Sequence, residues 1–151
     1  MTNLLFSEIK KFQNWALSYS NVPQNERLGE WECDYPDWDK IYLAFNQFIN
    51  NTDCNDWEEN IKDQLLYIIA RDNEAELLAE TLSKYEEALI TLAQQALIKA
   101  PTNAKWQLAV QLKNLVNKTL AIQLLETFSK DDNEYVSKRA FAELKALQAF
   151  K

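Results

Sequence analysis

The residues that most often carry out enzymatic chemistry are sparse in this chain. Among its 151 residues there is no His, and Gly29 is the single Gly. The lack of His excludes Ser-His-Asp and Cys-His relays, HExxH zinc sites and imidazole acids or bases. A single Gly excludes the GxGxxG turn and the Walker phosphate loop, which need several residues without a Cβ. The sequence therefore argues against the commonest enzyme classes.

Carboxylates and thiols remain, but their spacing is not that of a catalytic or metal site. Glu58 and Glu59 are adjacent, so on a helix they point about 100° apart rather than toward one substrate. Residues 53–58 begin like a calcium loop, but a Trp stands at the fifth position and a Glu where the turning Gly belongs. Cys33 and Cys54 are too few for a thiolate zinc site, and without an export signal we expect both to be free. We expect no metal, no cofactor and no enzymatic activity, although composition leaves carboxylate glycosidase chemistry open.

Acidic side chains are concentrated in one segment of the chain, residues 26–59. The whole chain has 23 Asp and Glu against 16 Lys and Arg, a net charge of −7. Residues 26–59 contain ten acidic and two basic residues, a net charge of −8, so the rest of the chain is almost neutral. An acidic protein favours a basic partner over the phosphate backbone of a nucleic acid, although a charge of this size also serves solubility.

The acidic segment is also rich in aromatic residues. It contains three of the five Trp, and its first part lies in a loop predicted over 20–37. Aromatic anchors among charged neighbours favour a protein-binding site, because the rings supply buried area and the charges select the partner. The candidate partner-binding residues are Glu30, Trp31, Glu32, Asp34, Tyr35, Asp37, Asp39, Asp53, Asp56, Glu58, Glu59 and Trp106. A structural interpretation stays open beside this one: Trp31 and Tyr35 fold the loop over the end of the helices, and Asp37 and Asp56 cap helices.

Apolar residues recur with the period of an α-helix along most of the chain. Gly and Pro, the strongest breakers, number one and three. Eight apolar stripes with steps of three and four residues predict eight helices, and none sustains the alternation of a strand. The sixth of these stripes consists of Leu108, Leu112, Leu115 and Val116. We predict an all-α fold in which short connections make neighbouring helices antiparallel.

A unit of helix, polar turn and helix recurs about every 30 residues, the spacing of helical repeat proteins. Residues 131–140, with the sequence DDNEYVSKRA, resemble the turn and second-helix start of a HEAT-like repeat, and residues 101–109 resemble a degenerate version. The resemblance covers 57–151 and implies an α-solenoid-like stack of about four antiparallel helical hairpins, with an ordinary helical bundle as the alternative. We predict one domain over 1–151, with N-terminal helices and the acidic aromatic loop in 1–56 and the hairpins after them.

A small, acidic, aromatic-rich helical-repeat protein resembles the immunity proteins of bacterial toxin–immunity systems, including those of contact-dependent growth inhibition. That resemblance implies a non-enzymatic protein that binds a cognate toxin domain, a basic nuclease, and occludes its active site. Gln107, Gln111 and Lys138, expected on the inner face of the repeats, would add contacts. The alternatives are a HEAT-like scaffold or adaptor for another cellular protein and a helical-repeat enzyme or enzyme subunit. Since neither an export signal nor a membrane span is evident, we expect a cytoplasmic protein, monomeric before binding, with no nucleic-acid or membrane partner.

Overall fold

A computed structural model describes residues 3–149 and contains helices and turns throughout that range. The described residues form eight α-helices and no β-strand, and 76% of them are helical when the 3-10 helices are included, so the predicted all-α class is confirmed. The helices are α1 (Leu4–Tyr19), α2 (Trp38–Asn51), α3 (Glu59–Arg71), α4 (Leu77–Leu82), α5 (Glu86–Ile98), α6 (Thr102–Gln111), α7 (Lys118–Phe128) and α8 (Glu134–Ala149). Between residues 3 and 149, no helix has both the length and the apolar character that a membrane crossing requires.

The chain divides into two compact units, Met1–Thr52 and Asp53–Lys151. The first unit contains α1, α2 and their long connection, and the second contains α3 to α8. This division falls close to the predicted change from the N-terminal helices, 1–56, to the helical hairpins. The single domain predicted over residues 1–151 stays a prediction.

The first unit is built on the apolar faces of α1 and α2, which pack against each other. Leu5, Ile9 and Phe12 are fully buried, as their helical spacing predicts. Burying each such side chain stabilises the fold by about 1.5–3 kcal/mol. The Asn3 side chain caps α1 by accepting a hydrogen bond from the Leu5 amide at 2.8 Å. These contacts give the connection that follows α1 a fixed surface to fold on.

Residues 20–37 connect the two helices of the first unit without an α-helix, as predicted. Two short 3-10 helices, Gln24–Glu26 and Trp31–Asp34, interrupt this loop. Asp37 stands at the N-cap position of α2, also as predicted, although its side chain accepts no capping hydrogen bond. The loop therefore has local structure of its own before α2 begins.

In the second unit, α6 occupies a central position. It packs against α3, α4, α5, α7 and α8, and residues 106–111 are all buried. These neighbours describe a bundle around one helix, and the solenoid-like stack of hairpins stays a prediction. The predicted position of the sixth helix is wrong in part: α6 ends at Gln111, and Val116 is 85% exposed. Because residues 106–111 of α6 are buried on every face of the helix, they lack the single apolar stripe from which a helix is recognised.

Candidate protein-binding site

The acidic segment 26–59 is divided between the two units. Its residues 26–52, in the first unit, include six acidic and two basic residues. Its residues 53–59 open the second unit with four acidic residues and no basic one. Each unit thus receives a net charge of −4 from the segment.

Trp31 and Tyr35, the predicted aromatic anchors of the loop, are buried in the first unit, with 7% and 6% of their surface exposed. The Tyr35 ring meets Phe12 of α1 edge-on with centroids 5.0 Å apart, and the Trp31 ring stacks on Trp15 at 6.0 Å. Such pairs contribute about 0.5–1.5 kcal/mol each beyond their buried area. Both residues therefore have the structural role that was left open as the alternative to partner binding: they hold the loop against α1. Direct contact with a partner would require the loop to leave that helix.

Arg27 fastens the same loop to the end of α1. Its Nη2 donates hydrogen bonds to the carbonyl oxygens of Ala16 at 2.8 Å and Ser20 at 3.2 Å, and its Nε donates to that of Val22 at 2.9 Å. The guanidinium also lies 4.3 Å from the centre of the Trp31 ring. A cation at the C-terminus of a helix satisfies carbonyls that have no intrahelical donor and interacts favourably with the helix dipole. Arg27 is therefore a structural residue inside the acidic segment.

Glu32 and Asp34 have local roles in the loop. Glu32 is 4% exposed, and its carbonyl oxygen accepts a hydrogen bond from Trp38 Nε1 at 2.8 Å. Asp34 is exposed, and its Oδ2 accepts a hydrogen bond from the Tyr19 phenol. That bond, together with burial and the Asp34 charge, raises the pKa of Tyr19, although the Arg27 charge acts in the opposite direction. Of these two acids, only Asp34 presents its carboxylate at the surface.

The other predicted acids of the first unit lie at its surface. Glu30 and Asp39 are exposed, and Asp37 is half-buried. Lys40 Nζ lies 3.7 Å from Asp37 Oδ1, a pair that both partners expose to solvent. Asp37 also raises the pKa of Tyr35, although burial of that phenol is the larger cause. Acidic side chains available to a partner are therefore present in this unit.

The four predicted acids of the second unit are all exposed. Asp53 forms a local turn in which its Oδ1 accepts hydrogen bonds from the backbone and side-chain amides of Asn55. The prediction of Asp56 as a helix cap is wrong: it lies in the 3-10 helix Cys54–Asp56, and α3 begins at Glu59 with Glu58 at the N-cap position. Acids at a helix N-terminus are also stabilised by the helix dipole, which accounts for Glu58 and Glu59 locally.

Trp106, the predicted anchor outside the acidic segment, lies on α6 and is 6% exposed. Its Nε1 donates a hydrogen bond to Asn103 Oδ1 at 3.0 Å, and its ring meets Tyr135 edge-on at 5.4 Å. The Arg139 guanidinium covers the indole, 5.1 Å from its centre. Around the buried indole, Tyr135 and Asn103 are exposed and Arg139 is half-buried, with 49% of the Tyr135 surface in contact with solvent.

The expected contacts from Gln107 and Gln111 are wrong, because both side chains point into the second unit. Gln107 has no exposed surface, and its Nε2 donates hydrogen bonds to the Ile69 carbonyl at 2.9 Å and the Asn103 carbonyl at 2.8 Å. Gln111 is 9% exposed. Lys138 is exposed and pairs with Glu134 one helical turn away. Gln107 therefore joins buried parts of the unit, whereas the Gln111 Oε1 accepts a local hydrogen bond from Asn114 Nδ2 at 3.0 Å.

Two surface features were missed by sequence reasoning. Leu28, beside Gly29 in the loop of the first unit, is 93% exposed. A cavity of about 350 Å³ in the second unit is lined by Asp63, Leu66, Lys99, Ala100 and Pro101. In the sequence, Leu28 could have been recognised as an isolated apolar residue in a polar loop. No sequence pattern predicts the cavity, because it depends on how α3 lies beside the turn that precedes α6.

Neither Cys33 nor Cys54 forms a disulfide, as expected. Cys33 is exposed, and Cys54 is buried with its Sγ 3.4 Å from the hydroxyl of Thr91.

Comparison with known proteins finds no matching family model, no similar curated protein and no similar solved structure. The resemblance to HEAT-like repeats and to immunity proteins therefore rests on the sequence features alone and stays a prediction.

Proposed function

We propose that this chain is a non-enzymatic binding protein, an immunity protein that neutralises a cognate bacterial toxin domain by covering its active site. The toxin domain would be basic, as a nuclease is, and the proposed binding takes place in the cytoplasm. In this proposal the exposed acids of residues 26–59 meet the Lys and Arg side chains that otherwise hold the nuclease substrate. A HEAT-like scaffold for another cellular protein would use the same surfaces without a toxin.

The observation that carries this proposal is the presence, in each unit, of exposed acids without basic partners. Asp39, Asp56, Glu58 and Glu59 are exposed, and none forms an ion pair with another residue in the described range 3–149. An acid in an intramolecular ion pair must give up that pair to bind a basic partner, whereas these four acids give up only bound water. They are therefore available to attract a basic partner.

Clustered charge acts mainly on the rate of association. Complementary fields accelerate encounter by about 10- to 1000-fold at low salt, and salt screens the effect over about 8 Å at physiological ionic strength. Three of the four acids are close together in sequence, in residues 56–59. Neutralising these three should therefore slow association at low salt and have little effect at high salt.

The experiment first asks whether the gene immediately upstream encodes a secreted polypeptide with a toxin domain, and then uses that domain, inactivated and purified. Association is followed by stopped-flow fluorescence for the wild type and for the triple variant Asp56→Asn, Glu58→Gln, Glu59→Gln. We expect association at low salt to slow by about tenfold or more, since three clustered charges supply the steering field.

The matched control removes three exposed charges elsewhere in the same unit, with Glu80→Gln, Glu87→Gln and Glu126→Gln. The control should associate nearly as fast as the wild type, because its charges are dispersed. Equal slowing by both triple variants would reduce the effect to net charge and contradict an acidic binding site. No binding of the toxin domain by the wild type would overturn the immunity function, and recovery of a non-toxin partner would favour the scaffold.

A further inference from the structure

Leu28 is the most exposed large apolar side chain among residues 3–149, with 93% of its surface in contact with solvent. Single exposed apolar residues are common, and exposure alone indicates no function. What distinguishes Leu28 is the structure on either side of it.

The residues that flank the span 28–30, Arg27 and Trp31, are both fixed. Arg27 is held by hydrogen bonds to three carbonyl oxygens and by its position 4.3 Å from the Trp31 ring. Trp31 is 7% exposed and stacks on the aromatic rings of α1. Three residues, 28 to 30, therefore span two anchored points. A loop held in this way cannot readily fold its leucine back onto the protein.

Gly29 forms the turn in the span 28–30. Its φ is +75°, a left-handed conformation that costs other residues about 1–2 kcal/mol. A Cβ at this position would have no atom within 4 Å, so the glycine is required by the backbone turn and not by lack of space. The turn sends the chain from Arg27 outward through Leu28 and back to Trp31.

The surroundings of Leu28 in the chain are acidic. Glu26, Glu30 and Asp34 are all exposed, and Val22 adds a second apolar side chain that is 45% exposed. Asp34 and Arg27 both contact Tyr19, because the Asp34 carboxylate accepts a hydrogen bond from the Tyr19 hydroxyl and the Arg27 guanidinium lies 5.9 Å from the centre of the Tyr19 ring. An apolar group with acidic neighbours fits a basic partner that offers an apolar recess among its Lys and Arg side chains.

We propose that Leu28 is the apolar contact that the first unit offers to the partner and that it enters a recess on a basic protein domain, while the neighbouring acids of the same unit meet that domain's basic residues. This inference rests on the proposed function and names the contact that would provide its affinity. Trp31 and Tyr35 then act by holding the loop, and the leucine they support touches the partner. Because the loop is fixed before binding, little conformational entropy is lost on association.

The test compares Leu28→Ala and Leu28→Gln with the wild type, using the inactivated upstream toxin domain and measuring Kd and dissociation rate by surface plasmon resonance. Leu43→Ala is the matched control, since Leu43 is an exposed leucine of the same unit, on α2. We expect both Leu28 variants to raise Kd about 10- to 100-fold, mostly through faster dissociation, and Leu43→Ala to change it less than about threefold. Urea unfolding should be the same for the Leu28 variants and the wild type, because a side chain that is 93% exposed contributes little to stability.

The outcomes separate this inference from the proposed function. A toxin domain that binds the wild type and the Leu28 variants equally would overturn the inference and leave the immunity function standing. A toxin domain that does not bind the wild type, or the lack of such a polypeptide, would overturn both. A dimer of the wild type that Leu28→Gln abolishes, measured by light scattering, would assign the leucine to a second copy of the chain and overturn the proposal.

Discussion

Replacing Arg27 tests whether the loop of the first unit is held as its contacts indicate. Arg27→Ala removes hydrogen bonds to the carbonyls of Ala16, Ser20 and Val22, together with the contact to the Trp31 ring. A hydrogen bond to a charged group typically contributes about 1.5–3 kcal/mol, and an exposed cation–π contact about 0.5–1 kcal/mol. Water can replace the guanidinium at the half-buried Ser20 and exposed Val22, so their bonds contribute at the low end or below it. We therefore expect the loop to lose about 2–3 kcal/mol in total.

The assay is amide hydrogen exchange within the loop. The amide N–H of Cys33 donates to the Glu30 carbonyl at 3.0 Å, and that of Tyr35 donates to the Glu32 carbonyl at 3.1 Å. Opening the loop breaks both bonds, so a loss of 2–3 kcal/mol should accelerate their exchange by roughly 30- to 150-fold. Arg27→Lys should retain little of the protection, because an ammonium cannot reach several carbonyls and lie on the indole at the same time.

Lys40→Ala is the matched control, since it removes one positive charge from the same unit. Lys40 makes a 3.7 Å ion pair with Asp37, and 60% of its side chain is exposed. Such a pair contributes at most about 1 kcal/mol, so the two amides should exchange nearly as in the wild type. If Arg27→Ala and Lys40→Ala accelerate exchange equally, Arg27 contributes charge only and the idea that it fastens the loop to α1 is refuted.

Two further predictions concern backbone conformation and pH. Gly29→Ala should destabilise the loop by about 1–2 kcal/mol through its positive φ alone, so exchange of the Tyr35 amide should accelerate about 5- to 30-fold; an unchanged rate would show that the turn is not needed. In the second unit, burial acts to raise the pKa of Asp131, but the Asn133 amide and the Lys105 ammonium, 3.0 Å away, outweigh it and hold that pKa below its usual value. A carboxyl with a lowered pKa stabilises the fold above its unfolded pKa, and this contribution is lost as the pH falls through the folded value. Asp131→Asn should therefore lower the urea midpoint at pH 7 and flatten its decline between pH 5 and 2.5, whereas parallel pH profiles would contradict the ion pair.

Helices were predictable where their signal is local. The apolar faces of α1 and α8 face inward as their spacing indicates, with Phe12 and Val136 fully buried. The position of α6 was predicted poorly, because contacts from several helices bury it on every side and remove the periodic contrast. The periodicity of apolar residues arises from the contrast between a buried face and an exposed face of a helix. This signal is therefore weakest for a helix at the centre of a bundle, which has no exposed face.

The candidate site was predictable in composition but not in geometry. The excess of acids in residues 26–59 is a property of the sequence, and most of these acids are exposed. Whether Trp31 supports the loop or meets a partner depends on Phe12 and Trp15, which are more than ten residues away in the chain. The role of Arg27 could not be predicted from the sequence either. Its hydrogen-bond acceptors are backbone carbonyl oxygens, which every residue has, so no residue type in the sequence identifies them.

The central position of α6 limits how the second unit can change. A helix that touches α3 and α4 before it in the chain, and α7 and α8 after it, makes early and late segments depend on one another. Loss of α8 would remove Tyr135 and Arg139, which cover the Trp106 indole, and would therefore destabilise α6 at the centre of the unit. Evolution of this unit should therefore proceed by substitution at its surface and not by changing the number of its helices.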